Sequence, residues 1–260
     1  MSNFHERLAA LDISLFDAIQ SQSTDDDRRS LLAVELAAGG LKSGYTYLEI
    51  GSYLGGSIQP HLLDERCGRI YSIDKRPEAQ PDARGFDWVY QNNSTERMLE
   101  LLRGVSPDLD KITAIDGDTT EISPTQITEK VDLCFIDGEH TDNAVFRDFR
   151  FCLDVLADSG AIIFHDSQIT YNGILDCTAY LDRQNVTYKA YPLPSCAFVV
   201  EIGDFPLHRE PCIADLFTRG HLSYLWSLNY NDNYRRFANR FPFGFLRRTL
   251  IKFRGSNVSR

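Results

Sequence analysis

The chain has 260 residues, 43% of them hydrophobic and 25% charged, which is the composition of a soluble globular protein. Its net charge of −10 argues against a general nucleic-acid binder, because such a protein needs a basic face for the phosphates. Six cysteines without a Cys-x-x-Cys pair predict neither a zinc site nor a disulfide framework. We find no signal peptide and no apolar run long enough to span a membrane, and therefore expect a cytoplasmic protein.

The first forty or so residues are expected to form an N-terminal helical segment, residues 1–40. Apolar residues at helical spacing predict a first helix over residues 5–20: Leu8, Leu11, Leu15 and Ile19. A polar break at residues 21–27 separates it from a second helix over about 28–38. We expect that helix to end at Gly39-Gly40, since glycine is common just past a helix C-terminus.

Residues 47–57 carry the most informative motif of the chain. An apolar run ends in Glu49, Gly51 follows, and the pair Gly55-Gly56 precedes a helix predicted over residues 56–65. This order is typical of a buried strand that turns sharply into a helix beside a nucleotide-like ligand. The next predicted strand ends in Asp74, which lies 23 residues beyond Gly51, a spacing suited to gripping ribose hydroxyls.

The spacing of the glycines separates two classes of ligand. Dinucleotide enzymes use Gly-x-Gly-x-x-Gly, so that the backbone can pack against a pyrophosphate. Here Gly51 and Gly55 are four residues apart, and Glu49 would repel a pyrophosphate but attract a cationic group. S-adenosylmethionine carries a sulfonium and an ammonium and no phosphate. A nicotinamide-dependent oxidoreductase or epimerase stays open as the alternative, as does a plain turn with incidental glycines.

The rest of the chain to residue 203 alternates strands with helices and loops. Strands are predicted at 111–115, 131–136 and 161–164, a loop at 77–87, and helices from Ser94 to about Leu102 and from Thr141 to Ser159-Gly160. Two later strands at 187–191 and 197–202 are close enough to form a hairpin, which predicts an antiparallel element at the sheet edge. The alternation predicts an α/β fold with a doubly wound, mostly parallel sheet.

Each of the five early strands ends in an acid: Glu49, Asp74, Asp116 or Asp118, Asp137 and Asp166. Because the carboxyl ends of parallel strands meet at one edge of a sheet, we expect a negatively charged rim there. Such a rim suits a cationic cofactor.

Two further blocks resemble a known family. They are Phe135-Ile136-Asp137-Gly138-Glu139-His140 and Gly160 to Ser167, which contains His165-Asp166. With the glycine motif they resemble the class I S-adenosylmethionine-dependent methyltransferases, in the branch of methyltransferase family 24 that is similar to catechol, macrolide-sugar and cephalosporin-type O-methyltransferases. The resemblance covers roughly residues 30–203. It implies a Rossmann-like sheet of seven strands in a cofactor-binding domain at residues 41–203.

The resemblance also implies which residues bind S-adenosyl-L-methionine. The methionine end would lie against Glu49, Gly51 and Ser52, with Gly55, Gly56 and Ser57 forming the turn beside it. The ribose would bind Asp74, the adenine would lie beside Asp118, Asp116 and Thr119, and the methyl group would face Asp137.

Several relatives hold Mg²⁺ or another divalent cation above the methyl group, and the cation lowers the pKa of the acceptor hydroxyl. Asp137 and Asp166 match two of the acidic ligand positions, and His165 or Ser167 stands at the third. Asp137 and Asp166 could instead anchor loops or contact the substrate directly. His140 matches the position of a basic residue near the accepting oxygen, so we expect it to be the catalytic base, with His165 as its rival.

Residues 204–260 form a C-terminal aromatic and basic extension that the resemblance does not cover. From Asn233 onward it has eight basic residues, six aromatic residues and no acid. One interpretation is an interfacial helix around 244–253 that contacts anionic lipid. The other is a helix that covers the sheet or a homo-oligomer surface.

The sequence therefore predicts methyl transfer to a hydroxyl of a small molecule, natural product or glycan, with a lipid-linked glycan included. A non-catalytic relative that keeps the cofactor fold is the third interpretation.

Overall fold

A central sheet of seven strands organises the protein. The computed structural model describes residues 2–233 together with residues 236, 242, 245 and 246. Its strands are β1 Tyr45–Ile50, β2 Cys67–Asp74, β3 Ala79–Asp82, β4 Phe86–Val89, β5 Ile112–Asp116, β6 Val131–Ile136, β7 Leu156–Phe164, β8 Tyr188–Pro192 and β9 Phe198–Ile202. Its helices are α1 Ser2–Ala9, α2 Asp25–Leu41, α3 Ile58–Leu63, α4 Thr95–Val105, α5 Asp142–Val155, α6 Tyr171–Arg183 and α7 Pro211–Asn233.

The strand order of the sheet is β5-β2-β1-β6-β7-β9-β8. The first five strands in this order are parallel, and β9 runs antiparallel to both of its neighbours. The predicted fold class and the antiparallel hairpin at the sheet edge are therefore confirmed. From β1 the chain continues to β2 and β5 at one edge of the sheet, and from β6 it continues to β7, β8 and β9 at the other edge. The strand order therefore reverses between β1 and β6, and the crevice between the carboxyl ends of these two strands is the expected ligand site.

Helices cover both faces of the sheet because alternate strand residues point to opposite sides. Tyr45 and Tyr47 pack on the face that α1 to α4 and the start of α7 cover. Leu48 and Ile50 pack on the other face, against α5 and α6. Strands β1 and β6 are buried along their whole length on both faces, which is why they read as continuous apolar runs.

The N-terminal segment differs from the prediction. The helix predicted over 5–20 is broken: α1 ends at Ala9, Leu11 takes a φ of 50°, and Asp12 caps a short 3-10 turn, Ile13–Phe16. The second helix begins at Asp25, inside the predicted polar break, because Thr24 and Asp27 form a capping box.

Three further predictions of secondary structure were wrong. The predicted loop at 77–87 contains the antiparallel hairpin of β3 and β4. The helix after Thr141 ends at Val155 rather than at Ser159-Gly160, since β7 begins at Leu156. The second helix continues through Gly39-Gly40 to Leu41. Helix α6 was not predicted at all.

The described part of the C-terminal extension is mainly helix α7, which packs on α2. Ser223 Oγ donates to Asp26 Oδ2 at 2.6 Å, and Cys212 Sγ lies 3.4 Å from the carbonyl oxygen of Ala33. The interfacial helix predicted around 244–253 lies outside the described residues apart from residues 245 and 246. Among the described helices, none is both long enough and apolar enough to cross a bilayer.

Candidate active site

The glycine turn after β1 needs a residue without a side chain. Gly51 has a φ of +92°, and a Cβ atom at this position would lie 2.2 Å from the carbonyl oxygen of Asp137. The loop thus presses directly against the end of β6. Ser52 is held by a 2.6 Å hydrogen bond between its hydroxyl and that of Ser72. The turn therefore presents backbone and small side chains to a ligand.

A cleft of about 500 Å³ opens above this turn. Its walls come from the segment before α2, the glycine turn, the β3–β4 hairpin, the tips of β6 and β7, and α7. Of the residues predicted to bind the methionine end and its turn, Gly51, Ser52, Gly56 and Ser57 line it. Gly55 lies behind the wall, where a Cβ atom would contact Leu102.

Glu49 lies beneath the glycine turn and does not line the cleft. Its side chain is fully buried, and it accepts hydrogen bonds from the hydroxyls of Tyr47 (2.8 Å) and Ser57. Burial raises the pKa of Glu49 to about 7, and the charges of Asp137 and Asp74 act in the same direction. Glu49 can therefore influence a ligand only through Ser57 and through its charge.

Asp74 is fixed at the end of β2. It is 4% exposed and accepts hydrogen bonds from the backbone N–H groups of Tyr53 (2.8 Å) and Arg76 (2.7 Å). It lines both the cleft and a smaller depression beside it. Each carboxylate oxygen keeps a further lone pair for a ligand hydroxyl.

The residues predicted around the adenine separate into two groups. Asp118 and Thr119 line the smaller depression, where Arg147 lies 3.4 Å from Asp118. Asp116 lines neither cavity; its carboxylate is 57% exposed and accepts from Thr95. Asp116 is the last residue of β5, whereas Asp118 lies in the turn that follows, and the sequence does not show how this turn directs its carboxylate.

The tips of β6 and β7 bring two acids and two histidines together. Nε2 of His140 lies 3.0 Å from Asp166 Oδ2 and 4.0 Å from Asp137 Oδ1. Nδ1 of His165 lies 3.0 Å from Asp137 Oδ1 and 3.3 Å from Asp166 Oδ2. All four side chains line the cleft. Parallel strand order alone is enough to predict this convergence, since β6 and β7 are adjacent.

Asp82, at the end of β3, orients His140 from behind. Its buried carboxylate lies 3.1 Å from His140 Nδ1, which therefore carries the donated proton. Arg84 holds the same carboxylate through two hydrogen bonds of 2.8 and 2.7 Å. Burial opposes ionisation of Asp82, but the hydrogen bonds from Arg84 and His140 lower its pKa to about 2. Asp82 was not predicted as a site residue, because the sequence of this hairpin reads as a loop.

His165 is held from its other side by Asp27, the capping-box residue of α2. Nε2 of His165 lies 3.7 Å from Asp27 Oδ2 and 3.2 Å from the sulfur of Cys196. Burial disfavours a charged imidazole, yet Asp137, Cys196 and Asp166 together raise the pKa of His165 well above its ordinary value. The neighbouring carboxylates therefore favour the charged form of His165, and the contact with Asp27 was not predicted from the sequence.

The pKa of His140 is raised for a similar reason. Burial again opposes the charge, but Asp166, Asp82 and Asp137 raise the pKa of His140. Among the described residues, the atoms of Asp137, His140 and Asp166 lie within 4.8 Å of one another, as do those of Asp27, His165 and Cys196. The first of these two sets has two carboxylates and one imidazole facing the cleft, which is a donor set that divalent transition metals accept.

Comparison with known proteins gives a family match for the segment that contains the candidate site. Residues 48–167 match the model of methyltransferase family 24, described as a methyltransferase domain, over slightly less than half of the chain. Residues 48–167 are therefore similar to a methyltransferase domain. The matched segment contains the glycine motif, Asp74, and the blocks around Asp137 and Asp166, so the resemblance predicted from these residues is confirmed.

Two solved structures have the same fold. The O-methyltransferase NovP aligns with a TM-score of 0.51 and 11% identity, over 65% of this chain and 78% of NovP. The calicheamicin methyltransferase CalS11 aligns with a TM-score of 0.51 and 14% identity, over 78% of this chain and 93% of CalS11. A search of curated proteins finds no match. At these identities the two structures show the methyltransferase fold alone.

Proposed function

We propose that the protein transfers the methyl group of S-adenosylmethionine to a hydroxyl oxygen of a small molecule or glycan. The single observation that carries this proposal is the arrangement at the strand tips. A histidine with its Nδ1–H held by buried Asp82 directs Nε2 into the cleft beside Asp137 and Asp166. This is the arrangement of a general base, and it lies beside the glycine turn of a methyltransferase domain. NovP, which is described as an O-methyltransferase, supports oxygen as the accepting atom.

The charge of the cleft supports a cationic methyl donor. Asp74 and Asp137 line it beside the glycine turn, and buried Glu49 adds a third carboxyl group behind that turn. A sulfonium and an ammonium are attracted to this field, whereas a pyrophosphate is repelled. Asp74 would bind the ribose hydroxyls, and Asp118 and Thr119 would lie beside the adenine in the adjoining depression.

In the proposed reaction His140 removes the proton of the acceptor hydroxyl while Asp137 and Asp166 orient that hydroxyl. The oxygen attacks the methyl carbon in line with the sulfur, so the C–O bond forms as the C–S bond breaks. The products are a methyl ether, S-adenosylhomocysteine and a proton on Nε2 that passes to water. Alignment of the nucleophile and the methyl group supplies much of the rate, on the order of several kcal/mol. His140 must first be neutral, and a bound sulfonium favours this because it repels a charged imidazole.

The same cluster fits a divalent cation as a second way to activate the hydroxyl. Asp137, Asp166 and His140 would hold the cation. His165 is the alternative third ligand, because its Nδ1 lies 3.0 Å from Asp137 while Asp27 and Cys196 contact its Nε2. When bound, the cation would lower the pKa of the acceptor hydroxyl. An imidazole beside two carboxylates suits Mn²⁺ or Zn²⁺ better than Mg²⁺, which prefers oxygen ligands.

The experiment that tests the proposal combines binding with turnover. Calorimetric titration with S-adenosylhomocysteine and with NADH identifies the cofactor class, and transfer of a labelled methyl group to a panel of hydroxylated acceptors tests the reaction. We expect S-adenosylhomocysteine to bind and NADH not to. Binding without transfer to any acceptor would instead support a non-catalytic relative. Repeating the transfer with a chelator, then adding back Mn²⁺ or Mg²⁺, shows whether a cation takes part.

The cellular setting belongs to the same proposal. All six cysteines are free thiols, which is consistent with a cytoplasmic protein. Membrane contact through the basic tail stays a proposal, and co-sedimentation with anionic liposomes tests it. The net charge supports a protein that does not bind nucleic acid, and gel filtration tests for a homo-oligomer.

A further inference from the structure

Helix α7 lies outside the segment that matches the methyltransferase family, yet it forms one wall of the cleft. It is anchored at three points along its length. Ser223 donates to Asp26 at 2.6 Å, Ser227 accepts from Gln168 Nε2 at 2.8 Å, and Asn231 accepts from Arg84 at 3.3 Å. Because Arg84 also holds Asp82, the wall is joined directly to the residue that orients His140.

The residues of α7 that line the cleft are uncharged. Five of them carry hydroxyl or amide groups: Ser223, Ser227, Asn229, Asn231 and Asn233. The other two, Trp226 and Tyr230, are aromatic, and Trp226 is 70% exposed at the rim. An exposed aromatic face beside amides and hydroxyls offers both apolar contact and directional hydrogen bonds to a ligand.

The side-chain oxygen of Gln168 is a hydrogen-bond acceptor that receives no hydrogen bond from the described residues. Its side chain lines the cleft and is 6% exposed, and its Nε2 donates to the carbonyl oxygen of Ser195 and to Ser227. Among the described residues, none donates to its Oε1. A buried acceptor in this state costs free energy, and a hydroxyl of a ligand would satisfy it. Gln80, on the hairpin side of the cleft, has the same unmatched oxygen.

The remaining walls argue against the other classes of acceptor. Five carboxylates line the cleft, and they outnumber the cationic side chains Arg84, His140 and His165 in the same lining, so the net charge opposes an anionic ligand: Asp26, Asp27, Asp74, Asp137 and Asp166. Among its described lining residues there is no Ala, Val, Leu, Ile, Met or Phe, so an acyl chain finds no aliphatic slot. A neutral sugar fits both conditions, since it presents apolar C–H faces to aromatic rings and hydroxyls to amides.

We propose that α7 and Gln168 form a subsite for a neutral carbohydrate, one of whose hydroxyls accepts the methyl group. This inference rests on the proposed methyl transfer but concerns a different wall of the cleft. In it Trp226 stacks on a sugar face, Gln168 Oε1 accepts from a sugar hydroxyl, and the anchored helix holds the sugar over His140.

The test is binding of the full-length protein, loaded with S-adenosylhomocysteine, to an array of neutral and acidic glycans and to catechol as a planar aromatic ligand. We expect neutral glycans to bind and anionic glycans and catechol not to. Trp226→Ala should weaken glycan binding by about tenfold. Leu225→Ala is the matched control, because Leu225 is 56% exposed on the same helix and does not line the cleft. It should bind as the wild type does.

Different outcomes test the carbohydrate subsite and the proposed methyl transfer. The subsite is overturned if no neutral glycan binds, if only anionic glycans or catechol bind, or if Trp226→Ala and Leu225→Ala behave alike. Calorimetry with S-adenosylhomocysteine is run on the same preparations. If it shows binding while the array is negative, the cofactor site stands and the carbohydrate subsite does not. If it shows none, the methyltransferase proposal itself fails.

Discussion

Replacing Asp82 with asparagine tests whether a buried carboxylate sets the protonation of His140. The carboxylate accepts from His140 Nδ1 at 3.1 Å and from Arg84 at 2.8 and 2.7 Å. An asparagine amide has one accepting oxygen, which Arg84 would take, so its NH₂ group would face Nδ1. The neutral imidazole would then carry its proton on Nε2 and could not accept one from the substrate. General-base catalysis contributes about 10²–10⁴-fold, and we expect kcat to fall within that range.

The assay measures three quantities in Asp82→Asn and in Asp87→Asn, an exposed control on the same hairpin. The first is the rate of methyl transfer at saturating cofactor, and the second is the dissociation constant of S-adenosylhomocysteine. The third is the ¹⁵N shift of the His140 ring, recorded at a pH where the ring is neutral, which reports the tautomer without any acceptor. We expect a large loss of rate, unchanged cofactor binding and a proton moved to Nε2 in Asp82→Asn only.

Stability must be followed in the same variants. Arg84 is almost buried and would lose its charged partner, so the free energy of unfolding should fall by about 3 kcal/mol. A folded Asp82→Asn protein with a rate within about twofold of the wild type would refute the role of Asp82. So would an equal loss in cofactor binding, because the effect would then not be specific to the base.

Three further predictions concern stability. Because the pKa of Glu49 is raised from 4.5 to about 7 by burial, the wild type should lose about 3 kcal/mol of stability as the pH rises through this window. Glu49→Gln should abolish this loss, and an unchanged melting curve between pH 5 and 8 would contradict the shift. Burial opposes the charge of Asp27, but its contacts with His165 outweigh this effect and lower its pKa from 3.8 to about 2. Asp27 therefore stabilises the fold fully above about pH 4, and this stabilisation is lost as the pH falls toward 2. Asp27→Asn should therefore cost about 2 kcal/mol at pH 7, while the exposed control Asp25→Asn costs little. Gly51→Ala should destabilise the protein by about 3 kcal/mol or more and abolish cofactor binding. Gly40→Ala is the control, because no atom lies within 4 Å of the added Cβ, and it should be neutral or slightly stabilising. Similar melting temperatures of the two variants would disprove the close approach of Gly51 to Asp137.

The sheet and its acidic rim were predictable because their signals are local. Each buried parallel strand is an apolar run of several residues. An acid that directly follows such a run necessarily lies at the carboxyl end of that strand. Parallel pairing of β1, β6 and β7 then brings Asp137 and Asp166 together without further information. The glycine motif is local too, since it depends on the conformation of Gly51 and its neighbours.

The contacts that orient the two histidines were not predictable from local patterns. His140 and Asp82 are 58 residues apart in the sequence. Asp27 and Cys196, which both contact His165, are 169 residues apart. Both acids lie in segments with no apolar periodicity, and each gains its role only when a hairpin or a capped helix packs onto the strand tips. Asp116 shows the opposite case, because a motif position suggested a ligand contact and the strand direction turned its carboxylate toward Thr95 and solvent.

The most direct test of the central claim is calorimetric titration of the purified protein with S-adenosylhomocysteine, then NADH, in wild type and Asp74→Asn. Our account predicts that S-adenosylhomocysteine binds the wild type, that Asp74→Asn weakens this binding by about tenfold through lost ribose hydrogen bonds, and that NADH does not bind. Binding of NADH alone, or binding of S-adenosylhomocysteine that is unchanged in Asp74→Asn, would contradict it.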